Sequence, residues 1–465
     1  MSTEGRPRQH YNVTLAILIF AGTAFALQQT MIIPALPVLR DELGTTTAWA
    51  TWLLTGFLLS ASVAIPILGK LGDQHGKERL LVISLSLFLL GSIGACFAWD
   101  IGSLIGFRIL QGAGGAVFPL SFSIIKDEFP PEKVGVAVGA VSAVFAVGGS
   151  LGLVLSGVIV DHVSWRWIFG VGAVGVAAAV ALVYLFVPES PIKTPSRVDV
   201  PGAVLLSTGL LALLLALTEG ERWGWGSRPI LALFGGSGVA LLAWALVELR
   251  VPEPMVDMRM LADRQVLFAN LTALIAGFAL FGSFILVPSL LQLPHEIVAY
   301  GFGASATVTG LYLLPSSVTG FLSGPLAGVL SRRVHAKWPL SLGMALGAVG
   351  LAFLAVWHSQ GWHIVVGMLV LGAGLPMTFA AMAKIIVDAV RPTETGVATG
   401  MNTVMRTIGG VIGGQVGAAL LVARTVEGGV PAESAYVIAF AIGAASAFAG
   451  ALVALLITPR RRLAA

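Results

Sequence analysis

The sequence predicts an all-α polytopic membrane protein with fourteen transmembrane helices, arranged as two six-helix halves with two helices inserted between them. Two observations lead to this fold class. The 465-residue chain is 57% hydrophobic and 11% charged, with a mean hydropathy of +0.92, whereas soluble chains are about 45–50% apolar and about 25% charged. In addition, patterns from the first part of the chain recur later at a nearly constant offset.

Each predicted helix is a long apolar stretch with no charge or a single charge. About 20 apolar residues are needed for one helix to cross a bilayer, and stretches of this kind indicate such helices. Numbered helices 1 to 14, they cover residues 12–39, 44–69, 80–99, 101–125, 134–160, 167–187, 200–218, 229–247, 265–294, 297–331, 338–357, 364–383, 395–423 and 434–458.

The connections between these stretches are short, which excludes a soluble catalytic domain. Cys96 is the only cysteine, so an intrachain disulfide and a cysteine-built metal site are excluded. No metalloprotease motif or phosphate-binding loop occurs. Reactive residues do not group at one interface, and no polar ring recurs across the helices, which disfavours a membrane enzyme and a channel. We therefore expect a transporter with no enzyme activity, cofactor or metal.

The lysines and arginines predict the orientation of the chain. Twenty of the 27 lie in one set of loops and both chain ends, five lie in the other loops, and Arg108 and Arg406 lie within helices. Cytoplasmic loops carry the excess of these residues. We expect both termini in the cytoplasm and a multi-pass protein of a bacterial plasma (inner) membrane. Because this distribution orients the chain in the lipid bilayer, it also explains the excess of basic residues, and no nucleic-acid partner is expected.

An internal repeat divides the chain. Residues 135–139 (GVAVG) return as residues 396–400 (GVATG) at an offset of 261, and Asp127 meets Asp388 at the same offset. We expect helices 1–6 and 9–14 to be two copies in one orientation, with a ligand site between them near mid-membrane. The predicted units are 1–190, the N-terminal half; 191–250, two inserted helices; and 251–465, the C-terminal half with a cytoplasmic tail.

Four motifs occur in an order that resembles the major facilitator superfamily, and within it the fourteen-helix drug:proton antiporter branch. Residues 69–79 (GKLGDQHGKER) are close to the family pattern GxLxDRxGR/K after helix 2. Residues 108–115 (RILQGAGG) match the family pattern of helix 4. Residues 164–169 (SWRWIF) and 402–410 (NTVMRTIGG) are typical of the branch. The resemblance covers nearly the whole chain and implies the major facilitator fold.

Three departures from the family pattern bear on function. Gln28 stands where the branch often has aspartate in helix 1, and residues 152–157 lack the proline of the antiporter-associated motif in helix 5. In the second half Arg332 stands where the first half has Asp73. The first two departures put ordinary proton antiport in question.

The resemblance implies a conformational latch in the loop after helix 2. Its residues are Gly69, Asp73, Gly76, Lys77 and Arg79. A carboxylate is stabilised near a helix N-terminus, and helix 13 begins on the same side of the membrane, at residue 395. Asp73 would join one half to the other while Lys77 and Arg79 position it. The alternative is an ordinary solvated loop charge.

Candidate ligand-binding residues are the polar and aromatic side chains of the helices expected to face the other half. They are Gln28, Gln29, Trp52, Arg108, Gln111, Tyr312, Asn402 and Arg406. An intramembrane cation indicates function by default, although Arg108 could instead bind backbone carbonyls. Amides, aromatic rings and two cations suit amphiphilic ligands. The proton-coupling candidates are Asp127 and Arg108, with Arg108 favouring the ionised carboxylate of Asp127.

The expected function is secondary-active export of drugs or other amphiphilic small molecules by alternating access, driven by protons. The alternative is an importer, a uniporter or a dedicated metabolite exporter of the same fold without proton antiport, because a fold does not determine direction or coupling. The expected partners are a small-molecule substrate, protons and lipid, and the protein is expected to act as a monomer.

Overall fold

The computed structural model describes residues 10–193, 199–295, 297–298, 300–426 and 430–458. Its regular structure in these residues is helical, with one isolated bridge between Thr425 and Pro431. The fourteen long helices are α1 Tyr11–Glu42, α2 Thr47–His75, α3 Lys77–Cys96, α4 Ile101–Glu128, α5 Pro131–His162, α6 Arg166–Phe186, α7 Val200–Trp223, α8 Arg228–Glu248, α9 Arg264–Gln292, α10 Ala306–Arg333, α11 Lys337–Val356, α12 Gly361–Ala389, α13 Thr395–Ala423 and α14 Glu433–Leu455. A short helix, Met258–Ala262, precedes α9.

The predicted all-helical membrane fold is confirmed. By length and composition, thirteen of the long helices can each cross a membrane. The remaining one, α9, has 29 residues and an apolar stretch over Arg264–Ala279. Successive helices run in opposite directions, so the end of α2 lies on the same side as the beginning of α13. We call this side, which carries Asp73, the Asp73 face.

Four predicted boundaries were wrong by five residues or more: the ends of α2, α7 and α12, which lie at His75, Trp223 and Ala389, and the start of α10. Helix α2 continues six residues past the expected end at Gly69 and stops at His75, because Gly76 takes a positive φ of 119° that favours glycine. Most of the motif predicted as a loop is therefore helical.

Helix α10 begins at Ala306, nine residues after the expected start at 297. The chain before it folds back on the end of α9, where Gly303 N–H donates to the carbonyl of Leu293 over 2.7 Å and Ala304 N–H donates to that of Leu291 over 2.9 Å. Gly303 has a φ of 58°, a conformation that a helix excludes. Apolar composition alone could not separate this folded loop from the helix.

Helix α4 is interrupted at its centre by a 3₁₀ turn, Ala113–Ala116, although a single continuous helix was expected. Serine hydroxyls from neighbouring helices satisfy nearby carbonyls: Ser60 donates to Ile109 O over 2.5 Å and Ser84 donates to Ala113 O over 2.6 Å. Backbone groups freed inside a membrane must find such partners. The break is thus stabilised by side chains of α2 and α3.

The buried apolar side chains form one large cluster contributed mainly by α1 to α6 and a second contributed mainly by α7 and α9 to α14. Helix α8 is peripheral, since only 17% of the residues in its apolar stretch are buried, compared with 72% for α12. The division into units 1–190, 191–250 and 251–465 stays a prediction.

The two large groups of helices meet along α5 and α10, which pack along their length. Glycines make this close approach possible. A methyl group added at Gly139 would meet the carbonyl oxygen of Gly324, and one at Gly328 would meet that of Gly135. In a membrane, where lipid is as apolar as leucine, such backbone approach is a principal source of helix association.

Candidate functional site

Arg108 is fully buried in the first group of helices, between α2 and α4. Its Nε donates to the backbone carbonyl of Leu53 over 3.0 Å, and its Nη1 donates to Gln111 Oε1 over 2.8 Å. The guanidinium lies 4.5 Å from the centre of the Phe57 ring, a favourable cation–π distance. The alternative that the sequence left open, binding to a backbone carbonyl, is therefore part of the observed geometry.

The network continues from Gln111 to Gln28, and each member is buried. Gln111 Nε2 donates to Ser92 Oγ over 2.8 Å, and the Ser92 hydroxyl lies 3.1 Å from Gln28 Oε1. Gln28 Nε2 in turn donates to the carbonyl of Phe169 over 3.5 Å. Buried polar groups need such partners. In this structure Gln28, Arg108 and Gln111 belong to one hydrogen-bonded network that also includes Ser92 of α3 and backbone carbonyls of α2 and α6.

The second group of helices has its own polar cluster around α13. Asn402 Nδ2 donates to Asn270 Oδ1 over 3.1 Å and approaches the carbonyl of Ala269 at 3.4 Å. The Arg406 guanidinium lies 4.3 Å from the centre of the Phe379 ring. These contacts join α13 to α9 and α12.

Gln29, Trp52 and Tyr312 are half-buried. Trp52 packs against the large apolar cluster contributed mainly by α7 and α9 to α14 and against a smaller cluster of α1 to α6, which places it near the boundary between the two helix groups. Tyr312 makes an edge contact with Phe302, with ring centres 6.1 Å apart. Five of the eight candidate residues therefore lie in two separate polar clusters and Trp52 lies near the boundary between them, and the role of all eight in ligand binding stays a prediction.

At the Asp73 face, the two groups of helices are joined by a carboxylate. Asp73 is 1% exposed, and its Oδ2 accepts from the backbone N–H of Gly396 over 3.0 Å and of Val397 over 3.2 Å. Both donors belong to the first turn of α13, where free N–H groups favour an anion. Gly69 allows the approach, because a Cβ at this position would lie 2.6 Å from Gly396 O.

Lys77 is fully buried between two carboxylates. Its Nζ lies 2.5 Å from Asp127 Oδ2 and 3.9 Å from Asp73 Oδ1, and it also donates to the carbonyl of Pro392 over 3.2 Å. Arg79 was expected to help position Asp73. It is exposed instead, and its backbone N–H donates to Glu189 over 3.4 Å.

Three residues of this face were missed by the sequence analysis. Glu189 accepts from the backbone at the start of α3, including Glu78 N–H over 3.3 Å, and Ser190 Oγ donates to Asp127 over 2.5 Å. Lys126 donates to the carbonyls of Val387 and Val390 at the end of α12, over 2.5 and 2.7 Å. The available signals were an acidic residue just after α6 and a lysine near a helix end, and both are too common to identify a site.

The expectation that Arg108 acts on Asp127 was wrong. The two residues lie 19 positions apart on α4, which separates them by roughly 28 Å at the rise of an α-helix. Asp127 meets Lys77 and Ser190 instead.

The sequence matches the profile of the Major Facilitator Superfamily over residues 18–414, with a further match over residues 271–465. The chain belongs to the major facilitator superfamily. As a member of this superfamily it is a multi-pass membrane transporter and not an enzyme. Over 96% of its length the fold is similar to that of the human organic anion transporter MFSD10 (TETRAN), all of which is covered, with a TM-score of 0.67 and 13% identity.

Curated relatives in this superfamily are named as drug resistance or export proteins. The tetracenomycin C resistance and export protein of Streptomyces glaucescens is 27% identical, over 80% of this chain and 69% of its own length. Multidrug resistance protein 3 of Bacillus subtilis is 29% identical, over 80% of this chain and 72% of its own. A multidrug resistance protein B homolog of Mycobacterium tuberculosis is 30% identical, over 82% and 70%.

We predict that Gln111→Leu destabilises the transporter, because Arg108 Nη1 and Ser92 each lose a buried partner. Leaving such groups unsatisfied costs about 1–3 kcal/mol. Unfolding of the purified protein in detergent measures the effect, with Gln29→Leu on a half-buried neighbour of Gln28 as the control. Equal stability of the two variants would contradict the importance of the network.

Proposed function

We propose that this transporter exports drugs or other amphiphilic small molecules across a bacterial plasma membrane by alternating access. The observation that carries the proposal is the contact between Asp73 and the first turn of α13. This contact joins the two groups of helices at the Asp73 face. It consists of hydrogen bonds, which a rocking motion can break and remake. The names of the curated relatives support drug export as the direction and substrate class.

The proposed orientation places the Asp73 face and both termini in the cytoplasm. Its support is the excess of lysine and arginine in the loops of this face. When reporter enzymes are fused after Arg462, a reporter that works only in the cytoplasm is expected to be active and one that works only in the periplasm is expected to be inactive. Activity of a periplasm-specific reporter at this position would reverse the orientation.

In the proposed cycle Asp73 acts as a latch that holds the cytoplasmic face closed. A carboxylate at a helix N-terminus gains about 0.3–1 kcal/mol, and up to ~2 kcal/mol when partly buried. This range is strong enough to bias two conformations and weak enough to break in each cycle. Lys77 lies between Asp73 and Asp127 and keeps the two carboxylates from facing each other without a cation.

We predict that Asp73→Asn lowers the turnover rate about tenfold, which corresponds to ~1.4 kcal/mol, with little change in KM. The substitution removes a charge from a state-dependent contact and leaves the ligand site unchanged. Transport kinetics at matched expression provide the measurement. Asp257→Asn is the control, because Asp257 caps the short helix before α9 within one group of helices. Unchanged kinetics of Asp73→Asn would refute the latch.

The proposed binding residues remain Gln28, Gln29, Trp52, Arg108, Gln111, Tyr312, Asn402 and Arg406. Four of them, Gln28, Arg108, Gln111 and Asn402, bind partners inside one helix group in this state, so ligand contact at these residues requires the groups to move relative to each other. The carboxylates of the sequence lie near span ends, whereas the interior carries Arg108 and Arg406. This distribution favours neutral or anionic amphiphiles over polycations, and one chain, containing both halves, would suffice as a monomer.

The proposed driving force is the proton gradient, with Asp127 as the proton carrier. Its side chain is fully buried, Oδ2 meets Lys77 and Ser190, and Oδ1 has no partner in the part of the chain that the structure describes. Such an oxygen can accept a proton without losing a hydrogen bond. Gln28, where the branch often has an acid, favours the alternative of a uniporter without proton antiport.

Transport in proteoliposomes with an imposed pH gradient is expected to separate these two modes. The gradient should accelerate the wild type several-fold and should have little effect on Asp127→Asn. Asp388→Asn is the matched control, because Asp388 is the repeat counterpart of Asp127 and is exposed beside Lys384; it should respond like the wild type. A wild type indifferent to the gradient would support uniport, and a gradient-responsive Asp127→Asn would reject Asp127 as the carrier.

A further inference from the structure

Two buried carboxylates converge where the inserted helices α7 and α8 meet at the Asp73 face. Asp199 precedes α7 and is 8% exposed, and Glu248 ends α8 and is 3% exposed. Both point to Gly202: Glu248 Oε1 lies 2.7 Å from the position a Cβ would take there, and Asp199 Oδ2 lies closer. The two oxygens are therefore no more than about 5 Å apart, a range over which like charges affect each other's protonation.

The hydrogen bonds of the two carboxylates differ. Glu248 Oε1 accepts from Trp244 Nε1 over 2.8 Å, and Oε2 accepts from the backbone N–H of Val256 over 3.2 Å. Asp199 Oδ1 accepts from Gly202 N–H over 2.9 Å, whereas Oδ2 is buried and has no partner in the described residues. Three of the four carboxylate oxygens therefore accept hydrogen bonds, and Asp199 Oδ2 is left without a donor among the described residues.

The charged groups around the pair either bind other partners or are exposed to solvent. Helix α7 packs against α8, α2 and α13. From α2, Lys70 donates to the carbonyl of Pro254 over 2.9 Å, and Asp73 binds the start of α13. Arg406, the titratable residue of α13, stacks on Phe379. The remaining nearby groups are His75, Lys193, Arg250, Glu253 and Arg259, which are exposed, and half-buried Asp257, which caps the short helix.

We propose that Asp199 and Glu248 hold one proton between them and form a proton-binding site on the inserted hairpin. With one proton between them, the pair carries one negative charge, which the indole of Trp244 and the backbone N–H groups of Gly202 and Val256 stabilise. Loss of the proton to water at the Asp73 face leaves two buried like charges. A buried charge without a cation or sufficient hydrogen bonds is costly, so deprotonation drives the start of α7 away from the end of α8.

The site is connected to the Asp73 latch through the segment after α8. Val256 of this segment binds Glu248, and two residues earlier Pro254 accepts from Lys70. Lys70 adjoins Gly69, whose backbone contacts Gly396 beside the latch. Separation of Asp199 and Glu248 therefore pulls on the helix that carries Asp73. Raising the pH at this face should loosen the hairpin and weaken the latch.

Infrared absorption of protonated carboxyl groups in the purified protein tests the site without any transport assay, so its outcome is independent of the export proposal. Wild type is expected to contain a protonated carboxyl at neutral pH that disappears as the pH rises. Asp199→Asn, in which asparagine still caps α7, should lose the absorption of one carboxyl, and Asp257→Asn should keep it. Glu248→Gln should likewise lose the absorption at neutral pH, because a single carboxyl no longer has a partner with which to share the proton.

Three results would overturn the site. Full retention of the absorption in Asp199→Asn would show that the proton lies elsewhere. Absorption that is unchanged in Glu248→Gln would show that the two carboxylates do not interact. Absorption that appears only in Arg197→Gln would show that Arg197, which lies outside the described residues, neutralises Asp199 in the wild type.

Discussion

The structure depends on the cost of leaving a polar group without a partner in hydrocarbon. Backbone groups meet this constraint by forming helices, and α4 is interrupted at its centre where Ser60 and Ser84 supply hydroxyls to its carbonyls. Buried side chains find partners as well: Arg108 binds a backbone carbonyl and Gln111, and only its Nη2 has no partner in the described residues. Polar contacts inside the spans therefore form mainly within each group of helices.

Contacts between the two groups have a different character at different places. Along α5 and α10 the backbones approach closely at glycines and are held by van der Waals packing. This packing is not directional and tolerates small rotations. At the Asp73 face the joining contacts are charged and directional, from Asp73 to α13 and from Lys126 to the end of α12. A rocking transporter needs both kinds, a seam that persists and a contact that can open.

The candidate site was only partly predictable from the sequence. The meeting of Asp73 with the start of α13 was expected because a family motif and a helix N-terminus lay on the same predicted side. Glu189 and Ser190 were missed because a short acidic segment after a span has no local pattern that indicates docking. Gln28 was expected to face a ligand, yet it contacts Ser92 and Phe169, which are 64 and 141 positions away in the chain.

The sequence by itself determined the class of fold, the number of long helices, most of their bounds and the internal repeat. These follow from the hydrophobic length that a bilayer requires and from local composition. Only the tertiary structure decided where α2 ends and α10 begins, where α4 breaks, and which polar side chains meet. Those features depend on partners distant in the chain, because a buried donor or acceptor is satisfied by whichever group the packing of helices brings within reach.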